Sequence, residues 1–205
     1  GAELVAIATP NHLHLPIALA SLAAGFHVIS DKPATATLAE ALELRDAVAA
    51  TDRIYTLTYT YTGYPMIRRA RDMVANGALG DIRKIVVDYP QGWLAEPIET
   101  EGNKQAAWRA DPSQAGVGGC IGDIGVHAFN LAEYVSGAKV AAFVADLAAV
   151  VPGRLLDDDS NLLLRFDNGA RGALLASQIA TGERNNLTLR VYGSKAGMVW
   201  SHETA

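Results

Sequence analysis

Three side chains of this 205-residue chain carry types and spacings that could do chemistry. Lys32 stands in Asp31-Lys32-Pro33, directly after an apolar run and with a proline behind it to fix the turn. An ammonium so placed points into the crevice above a sheet, where it can polarise a carbonyl or stabilise an oxyanion. Taken alone, it also fits a solvated loop lysine. Asp123 and His127 are four residues apart in Asp-Ile-Gly-Val-His. Positions i and i+4 of a helix share a face, so the carboxylate can orient the imidazole and support its charged form. An unperturbed imidazole titrates near about 6.5 and takes up a proton around neutral pH. A surface ion pair or a histidine packed in a helix core explains the same spacing.

Other segments add polar groups. Thr9-Pro10-Asn11-His12-Leu13-His14 offers a hydroxyl, an amide and imidazoles after an apolar run. Asn11 there also suits a helix cap. His12 and His14 do not share a helical face and make a poor metal pair. Tyr89, Gln91, Trp93, Trp108 and Arg109 form a polar-aromatic set. Such a set suits a sugar or polyol, with core packing as the alternative. Gly116, Gly118, Gly119 and Gly122 would weaken an ordinary helix start. They predict backbone packed close to something, such as a ligand or cofactor, although the run is not a Gly-x-Gly-x-x-Gly turn after a strand. Cys120 reads as a small buried filler. Asp157–Asp159 reads as a solvated loop, since the spacing and glycine of a calcium loop are missing. Five histidines without zinc-site spacing predict no metal site.

The elements that must position these groups follow from periodicity and punctuation. Leu4–Ala8 and Phe26–Ser30 read as buried strands, and Ile54–Thr60 as a third. Between them lie a helix over Leu13–Ala24 closed by Gly25, and a second that starts at the Thr37/Glu40 capping box and ends near Ala50. This alternation predicts a parallel sheet with right-handed crossovers, which binds ligands at the carboxyl ends of its strands. Pro65 opens a helix to Asn76 with Gly77 as its cap. After Gly80 the pattern changes. A strand over Ile82–Tyr89 and an irregular stretch lead to the glycine run, which opens a helix to about Ser136. Strands follow over Val140–Val151, Asn161–Phe166, Ala170–Gln178, Leu187–Tyr192 and Gly197–Trp200, with Asn168-Gly169 as a hairpin turn. The predicted fold class is α/β: a βαβαβ segment, then an α+β segment with a mostly antiparallel sheet.

Composition narrows the function classes. Half of the residues are hydrophobic, 19% are charged and the mean hydropathy is +0.12, which excludes a disordered chain. A net charge of −5 without a Lys/Arg cluster argues against nucleic acid and anionic membrane as partners. The apolar run Ala141–Val151 contains Asp146 and is too short to span a bilayer. No secretory signal is visible, and a lone cysteine fits the cytoplasm. A chain opening Gly-Ala-Glu, without Met, is expected to lack its true start.

Taken in order, the stretches VAIATPNHLH, AGFHVISDKP, YTYTGYP, NGALGDI, WRADPSQAGVGGCIGDIGVH, FDNGARG and VYGSKAG resemble the Gfo/Idh/MocA family of NAD(P)-dependent oxidoreductases over nearly the whole chain. The resemblance implies the C-terminal part of a Rossmann domain over residues 1–62. An α+β substrate and oligomerisation domain with an open sheet would occupy residues 63–205. It implies Lys32, Asp123 and His127 as catalytic residues, and NAD or NADP as cofactor. Cofactor contacts fall on Thr9, Pro10, Asn11, His14, Asp31, Lys32, Pro33, Trp108 and Arg109. Substrate contacts fall on Lys32, Tyr89, Trp93, Asp123 and His127. Asp31 stands where glutamate is usual, with the charge kept and the reach shortened. The implied reaction is hydride transfer to or from a secondary alcohol of a sugar, polyol or inositol, in a homo-oligomer joined through the second sheet. A sugar- or NAD-sensing regulator of the same fold and an NAD-dependent glycosidase are the alternatives. The glycine-rich pyrophosphate turn of the family would precede Gly1, so the chain is expected to be an internal portion of a larger enzyme.

Overall fold

Leu4–Ile7 (β1), His27–Ser30 (β2) and Tyr55–Leu57 (β3) pair in parallel in that order, joined by helices His14–Ala23 (α1) and Leu38–Ala49 (α2). The chain is described here over residues 1–203 from a computed structural model; residues 204–205, the end of the second expected unit, lie outside the described residues. Val28 and Ile7 of the strands pack with Ala18 and Leu22 of α1 and Leu44 of α2 into a first core. Thr37 caps α2 by accepting the Glu40 amide at 3.3 Å. Glu40 reaches back to the Ala36 amide at 2.9 Å, one residue before the cap itself. The third strand is shorter than the predicted Ile54–Thr60. The chain turns into a 3-10 segment over Thr60–Gly63, which carries Tyr61 into the core of the second unit. Tertiary packing there overrides the strand propensity of aromatic and β-branched residues.

The second unit is a six-stranded sheet made of Ile82–Pro90 (β4), Val140–Ala148 (β5), Asp159–Phe166 (β6), Arg171–Ser177 (β7), Thr188–Gly193 (β8) and Gly197–Ser201 (β9). Its order is β5-β6-β7-β4-β8-β9. Every pairing is antiparallel except β4 with β7. Helices Pro65–Ala75 (α3) and Val126–Ser136 (labelled α6 below) contribute Ile67 and Leu131 to a second core, where they meet Ile85, Leu174 and Leu189. The opposite face is open. Val144 is 72% exposed and its cross-strand partner Leu163 is 68% exposed.

Between β4 and that last helix lie two short helices, Lys104–Arg109 (α4) and Pro112–Ala115 (α5), and a π turn over Ile121–Gly125 that leads into α6. The helix therefore starts later than the glycine run suggested. Its entrance is held by Asp157, whose carboxylate accepts the Gly119 and Ile121 amides at 2.7 Å each. Asp158, 2% exposed, accepts the Val150 and Val151 amides and a hydrogen bond from Arg154. The expected solvated acidic loop is thus a structural network, because backbone N–H groups left without helix or sheet partners need acceptors.

Gly116 and Gly119 approach protein, not an open ligand space. A Cβ on Gly116, where φ is +96°, would fall 2.5 Å from the Ala36 carbonyl oxygen. One on Gly119 would fall 2.2 Å from the Asp157 carbonyl oxygen, whereas Gly122 has open space. Asn11, which could have been a helix cap, instead donates to the Ala115 carbonyl at 2.8 Å and ties the first unit to α5. Overpacking typically costs about 1–3 kcal/mol, so Gly119→Ala is expected to destabilise the protein by at least that much. Gly122→Ala should change stability by less than about 1 kcal/mol. Urea unfolding of the two variants separates them, and equal midpoints would remove the proposed close approach.

Candidate active site

Lys32 leaves the end of β2 and crosses to the second unit. Its ammonium donates to Asp123 Oδ1 at 2.7 Å and to the Asp123 carbonyl at 2.6 Å, with both side chains largely covered. Asp31 fixes the turn that aims it. Its Oδ1 accepts the Lys32 amide at 2.8 Å and the Thr58 hydroxyl at 2.9 Å. On the other oxygen of Asp123, Arg109 Nε donates at 3.1 Å and Gln178 Nε2 at 2.9 Å. Burial opposes ionisation of Asp123, but the Lys32 and Arg109 charges outweigh it and hold the carboxyl below its usual range.

His127 lines the same cleft without a hydrogen bond to Asp123. This corrects the expected orientation of the imidazole by the carboxylate. The helix start containing Asp123 is a π turn, so i,i+4 facing does not hold there. The carboxylate is also drawn to two cations and an amide elsewhere. The Nδ1 of His127 is buried with no hydrogen-bond partner, and the ring stands edge-on to Tyr61 at 5.1 Å and Tyr59 at 5.9 Å. Burial, followed by the Lys32 charge, pushes the imidazole down to about 4, against smaller opposing effects of Asp123 and Asp31. At neutral pH this histidine is an uncharged proton acceptor.

The cleft around these three residues holds about 600 Å³. Tyr89, Gln91 and Trp93 line it as well, together with Asn103, Gln105, Arg184 and Asn185. Tyr89 is 3% exposed, and its hydroxyl donates to Asn185 Oδ1 at 2.6 Å. Burial and the neighbouring Tyr61 raise its pKa well above the ordinary phenol value. Cys120 is a buried free thiol that burial likewise pushes up, consistent with a filler.

A second cleft of about 330 Å³ adjoins the first at the carboxyl ends of β1 and β2. Thr9, Pro10, Asn11, Asp31, Lys32, Trp108 and Arg109 line it. Lys32, Gln105 and Arg109 belong to both clefts. The Thr9 hydroxyl is buried with no partner, so a polar group of a bound cofactor would satisfy it. The guanidinium of Arg109 lies 4.2 Å over the Trp108 ring. Two expected cofactor contacts stand elsewhere. His14 is 1% exposed, with Nδ1 2.8 Å from the Pro33 carbonyl and Nε2 2.9 Å from that of Thr9. It and Pro33 brace the loops after β1 and β2 from behind the cleft. Lys104, Asn103, Gln105, Gln178, Arg184 and Asn185 escaped sequence reasoning. Only Gln178, a polar end to an apolar strand, and Asn103, an N-cap, carried a local signal.

A Rossmann-type parallel sheet joined to an open mixed sheet, with two adjoining clefts at the junction, defines the class. The chain belongs to the Gfo/Idh/MocA family: residues 1–59 match the oxidoreductase family with an NAD-binding Rossmann fold, and residues 67–199 match the GFO/IDH/MocA C-terminal domain. An uncharacterized oxidoreductase, YfiI of Bacillus subtilis, is 35% identical over 98% of this chain and 51% of its own length. Levoglucosan dehydrogenase of Pseudarthrobacter phenanthrenivorans is 32% identical over 98% of this chain and 56% of its own. The crystal structure of an inositol dehydrogenase homolog complexed with NAD+, from Azotobacter vinelandii, superposes with a TM-score of 0.94 at 34% identity, covering 98% of this chain and 52% of that one. The chain thus spans about half the length of the relatives it matches.

Because the folded His127 pKa of about 4 lies below the ordinary 6.5, the unfolded chain binds the extra proton first. The histidine therefore costs stability as pH falls from about 6.5 towards 4, and nothing above that window. His127→Asn should narrow the acid loss of stability relative to the parent. Urea midpoints of both proteins measured across that window test this, and a constant difference between them would contradict it.

Proposed function

We propose that this chain forms the active centre of an NAD(P)-dependent dehydrogenase that oxidises a secondary alcohol of a sugar, polyol or inositol, or reduces the matching ketone. The observation that carries this reading is the meeting of Lys32 from one unit with Asp123 and His127 from the other, in one cleft beside the strand ends of the parallel sheet. The NAD+ complex of the inositol dehydrogenase homolog and the name of the levoglucosan enzyme support the cofactor and substrate classes.

Neutral His127 accepts the hydroxyl proton as the alcohol is oxidised, and returns it in the reverse direction. Two of the three Lys32 N–H groups are engaged by Asp123, which leaves one to donate to the reacting oxygen as charge develops. Asp123, gripped by Arg109 and Gln178, keeps the ammonium aimed. Thr9, Pro10, Asn11, Asp31, Trp108 and Arg109 supply the wall against which the cofactor rests. A bound nicotinamide supplies the hydride acceptor for the carbon-bound hydrogen.

Lys32→Met and His127→Asn should each lower turnover by about a hundredfold or more, measured as nicotinamide reduction at 340 nm with saturating polyol, the usual scale for a lost general base or electrostatic group. Near-parent rates in both would overturn the assignments. With the Lys32 charge gone, the acid limb of the pH–rate profile should move upward, since that charge helps to depress His127.

The lone cysteine supports a cytoplasmic setting, and no helix among the described residues is long and apolar enough to cross a membrane. The open face of the second sheet supports pairing with another copy. Its Val144, Leu163 and Leu175 form an apolar patch of the kind that marks interfaces. Val144→Asp combined with Leu163→Asp should lower the mass seen in sedimentation. A parent protein that already sediments as a monomer would refute self-association.

A further inference from the structure

The polar lining of the substrate cleft is almost entirely made of hydrogen-bond donors. Four carboxamides face it, and the protein engages the oxygen of each. Gln91 Oε1 accepts the Trp93 indole N–H at 3.0 Å. Asn103 Oδ1 accepts the Gln105 and Ala106 amides at 3.0 and 3.1 Å. Gln105 Oε1 accepts from the Trp108 indole at 3.3 Å and from Arg109 at 2.6 Å. Asn185 Oδ1 accepts from Gln91 at 2.7 Å and from the Tyr89 hydroxyl at 2.6 Å. Indole, guanidinium and backbone N–H groups can only donate, so the carboxamide orientations are dictated. Gln91 spends one N–H on Asn185, and Asn185 spends one on the Tyr61 hydroxyl at 3.2 Å; the amide N–H groups of Asn103 and Gln105, and one N–H each of Gln91 and Asn185, remain for a ligand.

Charge points the same way. Lys32, Arg109 and Arg184 stand against Asp123 as the one carboxylate, and Asp123 is already bound by Lys32, Arg109 and Gln178. Arg184 is exposed at the cleft and has no ion pair among the described residues. A neutral polyol fits such a lining poorly. Each of its hydroxyls brings a proton that needs an acceptor, and beyond His127 and the remaining lone pairs of Asp123 few are left. A carboxylate or phosphate brings acceptors only and forms the stronger, charge-assisted bonds with arginine.

We propose that the substrate is an anionic sugar or polyol, bearing a carboxylate or phosphate away from the reacting hydroxyl, and that Arg184 with the outward carboxamide N–H groups selects it. This rests on the dehydrogenase reading for the location of the reacting hydroxyl. The two anions share one recognition chemistry, and the choice of probe separates them.

Titration calorimetry of the protein with NAD present, at low ionic strength, compares D-gluconate, D-glucose 6-phosphate and myo-inositol. At least one of the anions should bind about tenfold or more tighter than myo-inositol, with the advantage shrinking at high salt. Preference for gluconate identifies a sugar acid, and preference for the phosphate a sugar phosphate. Arg184→Gln should reduce the anion-to-inositol ratio about tenfold, and Arg184→Lys should keep part of it. Myo-inositol binding as tightly as both anions, or a ratio that Arg184→Gln leaves unmoved, overturns the proposal. Calorimetry reads anion selection even where no probe is oxidised. A protein that binds the anion and turns over none of the probes therefore supports the anion site and counts against the dehydrogenase reading.

Discussion

The ion pair between Lys32 and Asp123 joins two units that otherwise fold around separate cores. It brings an ammonium from the end of a parallel strand to the start of a helix in the second unit, 91 residues further along the chain. Both groups are mostly withdrawn from water, so each needs the other. Removing one partner of such a pair leaves an uncompensated charge and costs on the order of 3–5 kcal/mol. The pair is also not closed on itself. Arg109 and Gln178 share the carboxylate, one from a short helix beside the second cleft and one from the end of β7. The geometry of both clefts therefore converges on one carboxylate.

The same arrangement sets the state of His127. A histidine beside a free carboxylate would be expected to hold its proton. Here the carboxylate is neutralised by cations, the ring is covered by Tyr59 and Tyr61, and the nearby ammonium repels a second positive charge. The imidazole stays uncharged, with a buried nitrogen lacking a partner. Unsatisfied polar groups of this kind, like the Thr9 hydroxyl in the adjoining cleft, are costly in a folded protein and concentrate where a ligand completes them.

Much of the fold was legible. The Thr37 cap, the Gly25 and Gly77 helix ends, Pro65 at a helix start and the Asn168-Gly169 hairpin are local devices, and each stands where it was read. The misreadings share a cause. Thr58–Thr60 had strand-like residues but leads into the 3-10 segment that carries Tyr61 into another core. Asp157 and Asp158 looked like a solvated acidic run, yet they hold loop amides. Asn11 looked like a cap, yet it bridges the units. In each, a partner distant in sequence outbid the local preference. For the site, Lys32, Asp123 and His127 were found from residue type and order, while Arg184 and Asn185 reach the cleft from a loop with no local signature.

The sequence by itself determined which elements form, since turns, caps and apolar periodicity act over a few residues. It also determined which three side chains could share a pocket, through the order of motifs that resembles the family. Only the tertiary structure decided how those side chains pair. Whether Asp123 serves His127 or Lys32 depends on a π turn and on cations brought from other elements, and whether an amide offers its oxygen or its N–H depends on which neighbour has claimed the oxygen. Such choices are competitions among groups far apart in the chain, resolved by distance and burial that no local spacing encodes.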